Sequence, residues 1–171
     1  MHIGITVWVI LASWRWGDWK NFNRYHSTML YMSAMNLFYL FLTSKYPLWR
    51  MHPDLGLPFT LVTALYTFII FPFTVLLYLS HFPDSPEKQI LYTLKWIVIY
   101  IGVEWVGGLF SRITYDNGWH LGWSLIFVLT MFPMLRLHYK KPILTYMVSI
   151  FVIAFLVYLF DVPWQDLPAN P

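Results

Sequence analysis

The stretch Tyr100-Ile-Gly-Val-Glu-Trp-Val-Gly-Gly-Leu-Phe-Ser-Arg112 holds a single carboxylate, Glu104, within a long apolar run that begins near Gln89. On a helix, Glu104, Gly107, Gly108, Ser111 and Arg112 share one face, at offsets of three, four, seven and eight. A face that mixes small residues with a charge belongs against other helices. Small residues let backbones approach, and an ionisable group in a bilayer needs partners. Buried without a cation, a carboxyl group favours its protonated form, which suits it to proton-linked or cation-binding chemistry, or to a purely structural role as a hydrogen-bonded neutral acid. Glu104 lies about seven residues before the end of its helix, roughly 10 Å at ~1.5 Å per residue. Asn36 sits at a similar depth on an earlier helix, as do Thr63 and Thr67 on the next, with Ser124 somewhat higher on a later one. These residues predict one polar layer in one half of a bundle, with Glu104 at its centre and Asn36 as its direct partner. Arg112 is about 12 Å further along the axis, and side chains lean toward the helix N-terminus. It meets Glu104 only if both side chains extend or water bridges them, and otherwise pairs with Asp116 or Asp54.

Other chemistry is thinly represented. The histidines, at positions 2, 26, 52, 81, 120 and 138, show no pair three or four apart on a helix, so no local metal or haem site is signalled. All six fall near predicted helix ends and read as interfacial, the alternative being a site assembled from His52 and His120. There is no cysteine, hence no disulfide or thiolate chemistry. No phosphate-binding glycine loop, nucleophile elbow or HExxH appears. Asp18, Asp54, Asp84 and Asp116 are spread one per loop instead of forming a metal-binding cluster. No metal and no cofactor is expected, and an enzyme is the least favoured of the functional readings.

The elements that must position the polar layer follow from composition. Of the 171 residues 58% are hydrophobic and 11% charged, too few charges to cover a water-facing surface. Several apolar runs reach the ~17–25 residues that span a bilayer. The expectation is an all-α polytopic transmembrane helix bundle filling residues 1–171 as one domain. Its helices lie at about 2–16, 28–43, 58–80, 88–111, 119–137 and 143–160. Five helices is the alternative, should the short first segment lie in the interface. That segment lacks the basic leader of a signal peptide and reads as an uncleaved helix. Pro72 should kink the third helix, where Thr60, Thr63, Thr67 and Thr74 lie near one face and read as packing and back-bonding residues. Pro133 interrupts the fifth helix near its end. Ser85-Pro86-Glu87 marks a helix start. Phe71-Pro72 with Tyr78 and Phe132-Pro133 with Tyr139 form a faint internal echo.

Between the first two helices, Trp14, Arg15, Trp16, Trp19 and Lys20 interleave aromatic and basic side chains. Single-stranded nucleic acid would use the same residue types, but beside membrane segments they read as an interfacial anchor. Alternate loops carry Arg15, Lys20, Arg24, Lys88, Arg136, Lys140 and Lys141, whereas the others carry Lys45, Arg50 and Arg112. Seven against three places the first set in the cytoplasm and both termini outside. The tail from Asp161, with Asp166 and three prolines, reads as short and extended at the interface.

Trp14-Arg-Trp-Gly-Asp-Trp-Lys20, Tyr46-Pro-Leu-Trp49, Tyr78-Leu-Ser-His-Phe-Pro83, Asn117-Gly-Trp119 and Leu135-Arg-Leu-His-Tyr-Lys-Lys-Pro142 occur in that order. In this the chain resembles a family of small polytopic membrane proteins of spore-forming Gram-positive bacteria, a family named after a locus tag and not after an activity. The resemblance covers nearly the whole chain. It implies a bacterial cytoplasmic membrane and multiple helices, and no substrate, cofactor or catalytic residue. The functional expectation is a structural or assembly membrane protein whose polar layer specifies helix packing. The alternative is a small transporter, channel or ligand-binding protein that uses the Glu104 face. The expected partners are the lipid bilayer and a second copy or another membrane protein, without nucleic acid.

Overall fold

Six helices and one two-stranded ribbon make up the computed structural model, which describes residues 1–163. The helices are α1 (His2–Trp16), α2 (Phe22–Leu42), α3 (Phe59–Ser80), α4 (Pro86–Leu109), α5 (Leu121–Lys140) and α6 (Pro142–Leu159). This is the all-α bundle expected from composition, and α3 to α6 are each long and apolar enough to cross a membrane. Their outward faces are greasy: Val98 of α4 and Phe151 of α6 are 70% and 75% exposed. Large apolar side chains on the outside of a bundle are the mark of lipid as solvent. The part of the tail beyond Pro163, with Asp166, lies outside the described residues.

Boundary signals set the helix ends. Pro86 opens α4 in its first turn with Glu87 beside it, where a missing N–H costs nothing and an acid meets the helix dipole. At the other end Ser111 N–H donates to the Gly108 carbonyl and Arg112 N–H to the Gly107 carbonyl, 2.9 and 2.8 Å. That pair of bonds is a Schellman stop, and Ser111 takes the left-handed conformation (φ 54°) usually given to glycine. So α4 ends at Leu109, and Ser111 and Arg112 leave the face of Glu104 on which the helical spacing placed them. Helix α2 starts six residues earlier than the expected Thr28. It follows a short 3₁₀ turn, Trp19–Asn21.

Consecutive helices run in opposite directions, and contacts tie their ends together. At one end Asp18 N–H donates to Ser80 Oγ (3.0 Å), and Tyr25 stacks on Tyr139. At the other, the Met1 amino group pairs with Asp54 and Trp119 meets Phe160. Helix α3 is central, packing on α1 and α2; α5 bridges α2, α4 and α6. Around Tyr78 of α3 the core is all aromatic. Phe82, Tyr92, Trp96 and Phe132 surround it with ring centroids 4.9–6.1 Å away. Its hydroxyl meets Thr93 Oγ1 at 3.1 Å.

The ribbon was not foreseen. β1 (Trp49–Met51) and β2 (Ile113–Tyr115) lie in the connections from α2 to α3 and from α4 to α5, and they pair antiparallel with Arg50 opposite Thr114. Met51 and Ile113 are buried while Arg50 is exposed, the two-residue alternation of a strand with one covered face. Arg50 holds Asp116 at 2.8 Å on the outer side. His52 N–H donates to the Arg112 carbonyl and His52 Nε2 lies 2.8 Å from Thr114 Oγ1.

Candidate functional site: a cavity under the ribbon

Glu104 sits one turn below the end of α4, half-buried beneath the ribbon. Tyr115 of β2 donates its phenol to Glu104 Oε1 at 3.0 Å. Ser124, on the first turn of α5, donates its hydroxyl to the same oxygen. Ser124 Oγ in turn accepts from Trp119 Nε1 at 2.9 Å. An indole N–H can only donate, so this contact turns the serine proton toward the carboxyl group. Trp119 is itself held by Phe160 and Phe127. The carboxyl group thus receives two hydrogen bonds from a rigid aromatic frame. Burial first, and then the neighbouring charge of Glu104, push the Tyr115 phenol above the usual tyrosine range.

No cation joins this arrangement among the described residues. Arg112 reaches the Pro53 carbonyl at 3.3 Å, and its charge lies near Asp54. The Met1 amino group bonds Asp54 most directly and holds that carboxyl below the usual carboxylate range. Asp116 goes to Arg50. Arg112, Arg50 and the Met1 amino group are therefore all engaged away from Glu104.

Asn36 is not the direct partner of Glu104. Its amide donates to Thr67 Oγ1 at 2.7 Å, and Thr67 Oγ1 donates to the Thr63 carbonyl at 2.8 Å. The cause is Pro72. Residues Tyr66–Ile70 widen into a π-type turn, in which Phe71 N–H bonds the Tyr66 carbonyl. The next carbonyl in that pattern, Thr67, faces Pro72, which has no N–H to give. Ser33 of α2 donates to it instead, at 2.8 Å. Thr67 and Asn36 are thereby absorbed into an α2–α3 knot around the proline break, with Thr67 fully enclosed and Thr63 contributing only its carbonyl. Pro133 lies inside α5 on an exposed face, with no such π turn, so the two Phe-Pro segments are locally different.

The glycines of α4 also serve otherwise than expected. A Cβ at Gly107 would come within 2.8 Å of Ile113 and 3.0 Å of Met1, so its smallness seats the ribbon and the start of α1. Gly108 faces open space. Trp14, Arg15, Trp16, Trp19 and Lys20 are all exposed, at the end of the bundle opposite the ribbon. Trp19 additionally folds its indole N–H back to the Ser13 carbonyl at 2.7 Å. The histidines depart from an interfacial role in two cases. His2 is fully buried between Tyr66 OH (3.1 Å) and the His52 carbonyl (3.0 Å). His138 is buried against Tyr31, with its Nδ1 3.0 Å from Thr28 Oγ1. Among the described residues no group of three histidine or acidic side chains is placed to hold a metal.

What joins Glu104 and Asn36 is a void. A cavity of about 740 Å³ lies in the ribbon half of the bundle, and its wall includes Asn36, Glu104, Ser124, Tyr66 and Tyr100. The rest of the wall is mostly apolar, with hydroxyls at Tyr31, Tyr39, Thr43, Thr74, Thr130 and Ser149, and is contributed by all six helices and by Trp49, Met51 and Ile113 of the ribbon. Trp8, Phe38 and Phe127 line it yet remain 56%, 42% and 43% exposed, so the cavity reaches the outer surface of the bundle. A second hollow of about 730 Å³ between α2 and α6 shares Phe38, Leu42, Ile153 and Val157 with it. Volumes of ~300–1,000 Å³ with apolar walls and few polar groups are those of small-molecule sites. Tyr115 and Trp119 were missed as partners of Glu104, because Tyr115 lies between the predicted helices and Trp119 at the expected start of the fifth, where spacing along one helix face gives no signal.

Comparison with family models, with curated proteins and with solved structures returned no match.

Proposed function

We propose that this protein is a membrane-embedded binding protein, of the carrier or receptor type, for lipid-soluble small molecules. The observation that carries the reading is the cavity of about 740 Å³, apolar-walled, surface-reaching and provided with one carboxyl group. It favours ligand binding over the assembly role expected from composition, because packing alone gives no reason to keep a void of this size. The knot of Ser33, Asn36, Thr63 and Thr67 keeps the packing role. We place the protein in a bacterial cytoplasmic membrane with all six helices crossing, the ribbon and both termini outside. The excess of Lys and Arg near the opposite end supports that orientation.

Ligand entry is tested by filling the cavity. In vesicles of neutral phosphatidylcholine, a dodecanol brominated at its far end should quench tryptophan fluorescence with a saturable component, reported by Trp49, Trp96 and Trp119 in the wall. Gly4→Phe combined with Ile153→Trp puts bulk at two places in the wall, and a Cβ at Gly4 meets nothing within 4 Å. The double variant should lose the saturable component. Purely linear quenching in both proteins would reject the reading. Orientation is tested separately. A single engineered cysteine near Asn117 should label in intact cells with an impermeant thiol reagent, whereas one near Lys140 should not. The reverse pattern would invert the topology.

A further inference from the structure

Resting on the cavity reading above, we infer that the ligand is a cationic amphiphile, an organic ammonium with an apolar chain, for which Glu104 is the counter-ion. The argument is one of charge complementarity. Among the described residues Glu104 is the one carboxylate in the cavity wall, and the described hydrogen bonds to it both end on Oε1. Tyr115 and Ser124 act as donors there, and a carboxylate accepts at both oxygens whereas a neutral acid spends one of them as a donor. Both donors fall on one oxygen, which suits a carboxylate and the carbonyl oxygen of a neutral acid alike, and the second oxygen is left open by those bonds to a cation that would hold the group ionised. Ionised carboxylates in apolar surroundings need a positive partner, and among the described residues the nearby cations are committed elsewhere. Arg112 reaches Pro53, Arg50 holds Asp116, and the Met1 amino group holds Asp54. The groups facing Glu104 from the neighbouring elements are Tyr115 from the ribbon and Ser124 from α5, with Trp119, in the turn before α5, behind Ser124. None of them carries a positive charge.

The wall is suited to the same ligand. Tyr39, Tyr66, Trp96, Tyr100 and Trp119 present rings to the cavity, and ring faces attract ammonium groups while accepting hydrocarbon equally well. An apolar tail then continues toward the α2–α6 hollow, whose described wall is apolar apart from Asp161. An anionic amphiphile is disfavoured by the same carboxylate. A neutral one gains only the apolar part of the binding.

The test uses the full chain in neutral phosphatidylcholine vesicles and two probes with the same terminally dibrominated dodecyl chain. One carries a trimethylammonium head and the other its uncharged tert-butyl isostere. The ammonium probe should bind about ten-fold more tightly than the isostere, after correction for partition into protein-free vesicles. Glu104→Gln should erase that preference and leave the isostere unchanged, and Glu104→Asp, which keeps the charge, should retain most of it. Equal binding of the two heads to the native protein, or a preference that survives Glu104→Gln, would overturn the cation assignment while leaving the cavity reading intact. Saturable binding of neither probe would overturn the cavity reading itself.

Discussion

The two halves of this bundle solve helix packing differently. Around Tyr78 the space between α3, α4 and α5 is filled by rings in contact, and Arg136 closes the end with its guanidinium 4.3 Å over Phe82. Under the ribbon the same helices stand apart, and the gap is the cavity beside Glu104. Lipid is as apolar as the side chains it replaces, so a membrane bundle is held by close packing and polar contacts. The aromatic half supplies that holding. The ribbon half is closed by hydrogen bonds and two ion pairs, which keep its walls in place without filling the space. Close packing and open space thus lie toward different ends of the same helices, meeting at Trp96, which touches both.

The contrast is broken most severely at Tyr78. Tyr78→Ala removes a fully enclosed ring and should cost about 3–5 kcal/mol, read by reversible unfolding in mixed micelles. Val103→Ala, in the cavity wall, should cost under about 1 kcal/mol, because a side chain that already borders a void loses few contacts. Equal costs at the two sites would abolish the distinction. An intermediate effect belongs to the boundary between the halves. Ser33→Ala leaves the Thr67 carbonyl without a donor, since Pro72 has none, and should cost about 1 kcal/mol. The loss should disappear when Pro72→Ala is present as well, which would restore a backbone donor. A full cost in that double background would sever the link between the serine and the proline.

The smallest effect concerns pH at the ribbon. The Tyr115 phenol is raised in the folded state by burial and by Glu104. A raised folded value means that the unfolded chain releases its proton first. The contribution of Tyr115 is therefore complete below the ordinary tyrosine value of about 10 and falls away as pH rises toward the folded value. Tyr115→Phe should flatten that alkaline decline in stability, and Glu104→Gln should flatten it in part. A decline of equal slope in all three proteins would show that the two groups do not interact.

Much of this architecture was legible in the residues. The apolar runs predicted six helices with five as the alternative, the structure has six of which four are of spanning length, and Ser85-Pro86-Glu87 marked the start of α4. The kink expected at Pro72, with a neighbour satisfying the freed carbonyl, is there in Ser33. Less was legible about the polar layer. Depth along a helix follows from counting at a fixed rise, so residues of similar depth are found easily. Which of them touch depends on how each helix is rotated and how closely it approaches its neighbours, and one-dimensional spacing does not carry that. Asn36 was claimed by the Thr67 hydroxyl of α3, beside a π turn that no residue announces.

The ribbon shows the same limit more sharply. Three residues of alternation in each strand are too few to stand out from a loop, and pairing Arg50 with Thr114 joins segments more than sixty positions apart. Ser111 ends α4 in a conformation that glycine usually takes, so the stop was invisible beside Gly107 and Gly108. Composition and hydropathy by themselves determined the all-α class and the presence of one carboxyl group that must be satisfied, and left the helix number between five and six. Only the tertiary structure decided how it is satisfied. Tyr115 and the indole of Trp119 reach the Glu104 site from loop segments, and those contacts exist only once the ribbon has closed over the bundle.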